Sequence, residues 1–204
     1  GAATSTDVTV TVKPATTITV QPVAPAAYCI GGTSTLDVTA TGDGTLTYEW
    51  FKVSGSTTTS VGTTKTYSLP TSLTAGTHTY RVVVTGGCGA ATSTDVTVTV
   101  KPATTITVQP VAPAAYCVGG TSTLDVTATG DGTLTYEWFK VEGATISSVG
   151  TTKTYSLPTS LAAGTHTYHV VVSGGCEAAT STDVVVTVKA ATTITVQPVA
   201  PAAY

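Results

Sequence analysis

From Ser34 to Thr41 apolar side chains fall at Leu36, Val38 and Ala40, with polar ones between them. Alternation with a period of two is the mark of a half-buried β-strand, because successive side chains point to opposite faces of the sheet. The same rhythm predicts strands over 16–20, 34–41, 46–53, 58–61, 65–69, 77–85 and 92–100. Their inward sides read Leu36/Val38/Ala40, Leu46/Tyr48/Trp50, Tyr67/Leu69 and Tyr80/Val82/Val84, while Asp37, Thr39 and Thr41 face water. Turn chemistry separates the runs: Gly31-Gly32, Gly42-Asp43-Gly44, Ser54-Gly55, Gly62, Ala75-Gly76 and Gly86-Gly87. No ten-residue segment keeps the i, i+3, i+4, i+7 spacing of an amphipathic helix.

The pattern then repeats. Cys29, Trp50 and Cys88 return as Cys117, Trp138 and Cys176, each 88 residues later. Residues 14–101 and 102–189 differ at ten positions and agree at the other 78. Residues 1–13 copy 89–101, and residues 191–204 copy 103–116. The chain therefore reads as the last strand of a preceding repeat (1–13), two whole repeats (14–101 and 102–189) and the first strand of a following one (190–204). A period of 88 exceeds the roughly 20–50 residues of a solenoid turn. It suits a small β-sandwich that buries its own core.

Seven short strands at this spacing predict an all-β fold of tandem immunoglobulin-like sandwiches, arranged head to tail. Val38 precedes Trp50 by twelve residues, the separation expected between the core position of the second strand and the core tryptophan of the third. Tyr80 lies two residues before Val82, where a tyrosine corner would sit. The expected core is Val38, Trp50, Tyr80 and Val82, with Trp138 and Tyr168 in the second repeat. Val38 and Val82 occupy the two positions that usually carry the cystine.

Four cysteines allow three pairings. Cys29 lies nine residues upstream of Val38 and Cys88 six residues downstream of Val82, on strands that run in the same direction in such a sandwich. At about 3.3 Å per residue that offset approaches roughly 50 Å if extended, against the 7 Å or so between Cα atoms that a disulfide tolerates. In a head-to-tail array Cys29 would instead face Cys176 of the next repeat. Cys88 and Cys117 would pair with neighbouring repeats before and after. The alternative is one bridge inside each repeat, Cys29–Cys88 and Cys117–Cys176. A bridge from 29 to 176 would close a loop worth on the order of 5 kcal/mol by the chain-entropy model. Either arrangement implies an oxidising compartment. Isolated cysteines lack the paired spacing of a zinc site.

Composition narrows the function classes. About a quarter of the chain is Thr and only 9% is charged, with no Met and no Asn. A net charge of -3 leaves no basic footprint for nucleic acid or an anionic membrane, and no apolar run is long enough for a spanning helix. A catalytic set is not apparent. His78 and His166 stand beside a turn, His169 replaces Arg81, and Glu49 and Glu137 have no acidic neighbour in sequence. Asp43 reads as a turn former, since one carboxylate is far short of a calcium site; Asp7, Asp95 and Asp183 read as guards against edge pairing. No cofactor or metal is expected. Thr9/Thr11, Thr97/Thr99 and Thr57–Thr59 could offer a hydroxyl face to a ligand, although Val185 and Ile146 interrupt it in the second repeat. Phe51 and Phe139 are the aromatics expected on the outer side. Pro14 and Pro102, each after a lysine, fix φ at the joints; the third joint has Lys189-Ala190 and is expected to bend more.

Several stretches resemble a known group: Tyr28-Cys29-Ile30-Gly31-Gly32, Leu36-Asp37-Val38-Thr39-Ala40, Tyr48-Glu49-Trp50, the run from Leu73 to Val82, and Gly87-Cys88. Together they resemble the Ig-like and PKD-like repeats of giant bacterial surface proteins, of the gliding-motility adhesin type exported by the type IX route. Val84-Thr85-Gly86 stands where an Asp-Ala-Asn stretch is often found before the Gly-Cys. The resemblance implies structural spacer, stalk or fibre modules at a bacterial surface or in a secreted filament. An adhesive module holding glycan or another surface through its loops or Thr-rich strand faces is the alternative. The implied partners are neighbouring repeats of the same chain or fibre, with no nucleic acid and no membrane insertion.

Overall fold

The computed structural model describes residues 1–200. It contains strands and no helix among them, in two compact units, 1–102 and 103–204. In the first repeat the strands are β1 (Thr17–Val20), β2 (Tyr28–Cys29), β3 (Thr35–Asp37), β4 (Thr39–Thr41), β5 (Thr47–Ser54), β6 (Thr57–Gly62), β7 (Thr66–Ser68), β8 (Gly76–Gly86), β9 (Gly89–Thr92) and β10 (Val96–Lys101). The second repeat follows the same order. Its strands are β11 (Thr105–Val108), β12 (Tyr116–Cys117), β13 (Thr123–Asp125), β14 (Thr127–Thr129), β15 (Thr135–Glu142), β16 (Thr145–Gly150), β17 (Thr154–Ser156), β18 (Gly164–Ser173), β19 (Ala178–Thr180) and β20 (Val184–Lys189).

One large sheet runs β2-β10-β8-β5-β6, with β9 also on β8. The opposite layer is made of two pairs, β1 with β4 and β3 with β7. Every pairing is antiparallel except β2 on β10, which is parallel, with Tyr28 beside Val100 and Cys29 beside Lys101. The second repeat has the same topology.

Three details depart from the alternation pattern, each for a local reason. The strand expected over 34–41 divides at Val38 because its two halves have different partners: β3 lies on β7 and β4 on β1. The strand expected over 92–100 breaks at Ser93, which is buried. Its hydroxyl accepts the Val82 N–H at 2.9 Å, while its own N–H goes to the Val82 carbonyl at 2.9 Å. A side chain thus replaces a rung of the ladder, and the segment steps from β9 to β10. Strand β2 has no signature in the alternation pattern, since two residues after a proline-broken stretch carry no periodicity.

The core of the first repeat closes around Trp50, which is fully buried, with Leu36, Val38, Tyr80, Val82, Val84 and Val98. Trp50 stacks on Tyr67 at 6.0 Å between ring centroids, and Tyr67 meets Tyr80 at 5.6 Å. The indole N–H of Trp50 donates to the Thr64 carbonyl at 2.9 Å, so its one polar atom is satisfied. Val38 and Val82 fill the cystine positions with aliphatic carbon. Trp138, Tyr155 and Tyr168 reproduce the cluster in the second repeat. The tyrosine-corner bond is absent there: the Tyr168 hydroxyl is buried without a hydrogen-bond partner.

Burial pushes the Tyr80 phenol up to about 12, with the neighbouring Tyr67 and Tyr28 adding to the effect. Tyr168 is likewise pushed up to about 12, first by burial and then by Tyr155, Tyr116 and Glu142. A raised folded pKa favours the neutral phenol in the fold. Its contribution is complete below the unfolded value near 10 and is lost as pH rises through about 12. Alkaline titration followed by phenolate absorbance should therefore show two tyrosines ionising last, in step with loss of near-ultraviolet circular dichroism. Ionisation of all nine tyrosines near 10 with the fold intact would contradict this packing.

Candidate functional site

The strand paths give each repeat two chemically distinct ends. At the end where the chain arrives, Thr16 is buried beneath the Gly42-Asp43-Gly44 and Gly86-Gly87-Cys88 turns. Its hydroxyl donates to the Gly89 carbonyl at 2.9 Å. The Gly87 N–H donates to the Asp43 carbonyl at 2.7 Å. A Cβ on Gly87 would lie 2.5 Å from the Asp43 carboxylate, so only glycine leaves that oxygen its place. Lys13 Nζ reaches the same carboxylate, 2.9 Å from Oδ2. Asp43 is thus more than a turn former, and only folding brings it to a residue 30 positions away.

At the end where the chain leaves, Cys29 lies beside Lys101 on the parallel β2–β10 pair, and the Ile30 N–H donates to the Lys101 carbonyl at 3.0 Å. Cys88 and Cys29 therefore stand at opposite ends of the β9–β10 segment. Thirteen residues of extended chain span about 40 Å. Cys29 and Cys176 are disulfide-bonded, whereas Cys88 and Cys117 are thiols. Pro14 and Pro102 both lie exposed just outside strands.

The two repeats differ in the turn that carries the second cysteine. In the first, Gly86 pairs with Gly89 and closes a tight hairpin over Gly87-Cys88. In the second, the last pair is Ser173 with Ala178, and the counterpart of Gly89 is Glu177, held at φ 53°. Gly89 itself sits at φ 94°. The buried Thr104 hydroxyl donates to the Cys176 carbonyl at 2.9 Å, one residue short of the corresponding bond in the first repeat.

The chemistry-bearing residues elsewhere have structural partners. His78 Nε2 lies 2.8 Å from the Thr74 carbonyl and His166 Nε2 2.9 Å from that of Ala162, so both pin the turn before β8 or β18. Arg81 faces Asp95, with Nε 2.8 Å from Oδ1, and His169 Nδ1 lies 3.3 Å from Asp183 Oδ1. The substitution of Arg81 by His169 therefore keeps a partner for the same aspartate. Phe51 is half-buried opposite Arg81, while Phe139 stacks on His169 at 5.4 Å. Lys140 lies 2.6 Å from Glu142, and this hydrogen-bonded pair holds the Glu142 carboxyl below the usual range. Glu49 and Glu137 are exposed on the outer face, and the described residues contain no cluster of three or more metal-ligating side chains. Two hollows lie along this sheet, one of about 240 Å³ along Phe51, Arg81 and Thr92 and one of about 380 Å³ along Thr135, Glu137 and Ser173.

Residues 15–102 and 104–189 each match the family model described as Ig-like domain, CHU_C associated. The chain belongs to this family. It is a family associated with type IX secretion. Among solved structures the chain is similar to the titin I-band fragment I67–I69, at 14% identity and a TM-score of 0.57. That match covers 89% of this chain and 67% of the other. It is also similar to the DIP-gamma IG1+IG2 structure, at 15% identity and a TM-score of 0.57, over 86% of this chain and 98% of that one. Extracellular domains 3–5 of Drosophila OTK match at 18% identity and a TM-score of 0.53, over 85% of this chain; the alignment spans 62% of that structure, under two thirds of its length. At these identities the likeness establishes tandem immunoglobulin-like folding. No curated protein sequence matches the chain.

A non-glycine residue in the left-handed region is strained. Replacing Glu177 by Gly should stabilise the second repeat by about 0.5–1 kcal/mol, after allowing for the added freedom of the unfolded chain. Urea unfolding followed by Trp138 fluorescence in a Trp50→Phe background would measure it; an unchanged or lower midpoint would argue against strain at Glu177.

Proposed function

We propose that this chain is a segment of an extracellular bacterial stalk or fibre, in which repeats follow one another head to tail and are riveted by disulfides. The single observation that carries the reading is that each repeat sends its chain in at one end and out at the other, with a cysteine position at each end. On this reading Cys29 pairs with Cys176 across the joint, and Cys88 and Cys117 serve the joints before and after. Two facts support it: the half-cystines are Cys29 and Cys176, and the partner each would need for an intra-repeat bridge is a thiol. Pro14 and Pro102 stiffen the backbone at the joints by fixing φ.

The boundaries follow the same logic. Residues 14–101 and 102–189 are whole repeats, and residues 1–13 are the last strand of a preceding one. Val8, Val10 and Val12 stand more than three-quarters exposed, whereas the identical segment in β10 buries Val96, Val98 and Val100 almost completely. Residues 190–204 are the first strand of a following repeat. Ile194 is exposed where its counterpart Ile106 packs on a core; residues 201–204 lie outside the described part. The role is mechanical rather than enzymatic, it needs no cofactor, and its partners are neighbouring repeats. An oxidising location at the bacterial surface or in a secreted filament keeps the cystines closed.

Adhesion to a glycan or another surface through loops or Thr-rich strand faces is the second reading.

Proteolysis of the oxidised chain without reductant, followed by mass spectrometry, tests the riveted reading. The expected product is a peptide pair joining Cys29 to Cys176, with Cys88 and Cys117 free to alkylate. Recovery of Cys29 linked to Cys88 would end it.

A further inference from the structure

Phe51 lies half-buried on the outer face of the large sheet of the first repeat, and neighbouring strands supply the side chains around it. Its register partner on β8 is Arg81, and Val83, two residues on, faces Thr92 of β9. On the other flank Val53 faces Thr58 of β6. Phe51, Thr58, Arg81, Val83 and Thr92 line the hollow of about 240 Å³. Its floor is a phenyl ring and a valine, and its rim is hydroxyl and guanidinium. Arg81 is held in place: Nη2 donates to Asp95 Oδ2 at 3.1 Å and Nε lies 2.8 Å from Oδ1. A guanidinium carries more N–H groups than one carboxylate engages, so donors remain for a ligand. The Arg81–Asp95 pair has no net charge, and Glu49 stands on the same face across from Val83. An anionic ligand would meet that carboxylate; a neutral polyhydroxyl one would not.

The second repeat supplies a natural contrast. The repeats differ at ten positions, and two of those, 58 and 81, are among the five that line the hollow. Ile146 replaces the Thr58 hydroxyl with an exposed alkyl chain. His169 replaces Arg81 and stacks on Phe139 at 5.4 Å with the rings 29° apart, which covers one face of the phenyl ring. Core, register and partner aspartate are all kept. The fold accepts either set of residues, so stability alone does not fix positions 58 and 81.

We propose that the hollow over Phe51 in the first repeat binds a neutral hexose unit of a polysaccharide, with the sugar's C–H face on the phenyl ring and its hydroxyls on Arg81, Thr58 and Thr92. A pyranose ring has the matching chemistry: one face of C–H bonds packs on an aromatic ring, while hydroxyls at its edge meet a few fixed polar groups. The second repeat, with its ring covered and a rim hydroxyl lost, does not bind. The inference rests on the adhesive reading above and gives it a site and a substrate class.

The full chain is applied to an array of neutral and acidic oligosaccharides, and the tightest neutral binder is titrated calorimetrically for affinity and stoichiometry. A neutral hexose oligosaccharide should bind at one site per chain. The double variant Thr58→Ile/Arg81→His carries residues with which the second repeat already folds, and it should bind about tenfold more weakly or worse, since two polar partners are lost. The reverse exchange, Ile146→Thr/His169→Arg, should raise the stoichiometry to two. Circular dichroism confirms that each variant is folded. Neutral sugars binding equally well to Thr58→Ile/Arg81→His, or a stoichiometry still at one after the reverse exchange, would overturn this site while the adhesive reading stood. A preference for acidic sugars would overturn the assigned ligand class. Binding of no oligosaccharide would end both the site and the adhesive reading, and the Cys29–Cys176 peptide pair would remain the separate test of the stalk.

Discussion

Everything else in this molecule depends on one pairing: the two residues of β2 lying parallel on the end of the last strand. Because the pairing is parallel, the first segment of the repeat runs alongside the last one in the same direction. The chain therefore enters a repeat at one end and quits it at the other. Had the two been antiparallel, both termini would share an end and a linear array would have to double back. The same pairing sets Cys29 beside Lys101, with Cys88 about 40 Å of extended chain away. The sulfur chemistry open to each cysteine follows from that separation.

The parallel geometry also decides how the repeat meets load. Pulling on the ends of two adjacent parallel strands shears their hydrogen bonds together instead of opening them one at a time. The first and last segments are further tied at Gln21, whose side-chain oxygen accepts the Thr94 N–H at 3.0 Å; Gln109 and Thr182 repeat the bond. On the proposed Cys29–Cys176 pairing, load would enter along the first strand, cross at the sulfur atoms and leave along β20. The 146 residues between the two cysteines would be spared extension.

Much of this was legible in the sequence, and the exceptions are instructive. Period-two alternation located every long strand, because Val, Ile, Thr and Tyr at alternate positions leave one face to bury. The core positions Val38, Trp50, Tyr80 and Val82 are buried in the structure. The 88-residue repeat was plain from self-comparison. Three features were hidden. β2 is two residues long, too short for any periodicity. The break at Ser93 depends on a hydroxyl acting as a backbone substitute, which looks like any other serine in a Thr-rich run. The Lys13–Asp43 pair joins residues 30 apart, and nothing local to either of them announces the other. The two repeats, read against each other, supply the missing signal: the aspartate facing position 81 keeps a partner when Arg81 becomes His169, which marks a contact rather than a free surface.

Single-molecule extension of the chain, held at its two termini, tests the central claim most directly. In the reduced state both repeats should unravel and release about 600 Å of contour, taking roughly 3.5 Å per residue. In the oxidised state the loop from 29 to 176 should stay locked, cutting the release by about 500 Å. Equal lengths released with and without reductant would mean that no rivet spans the repeats.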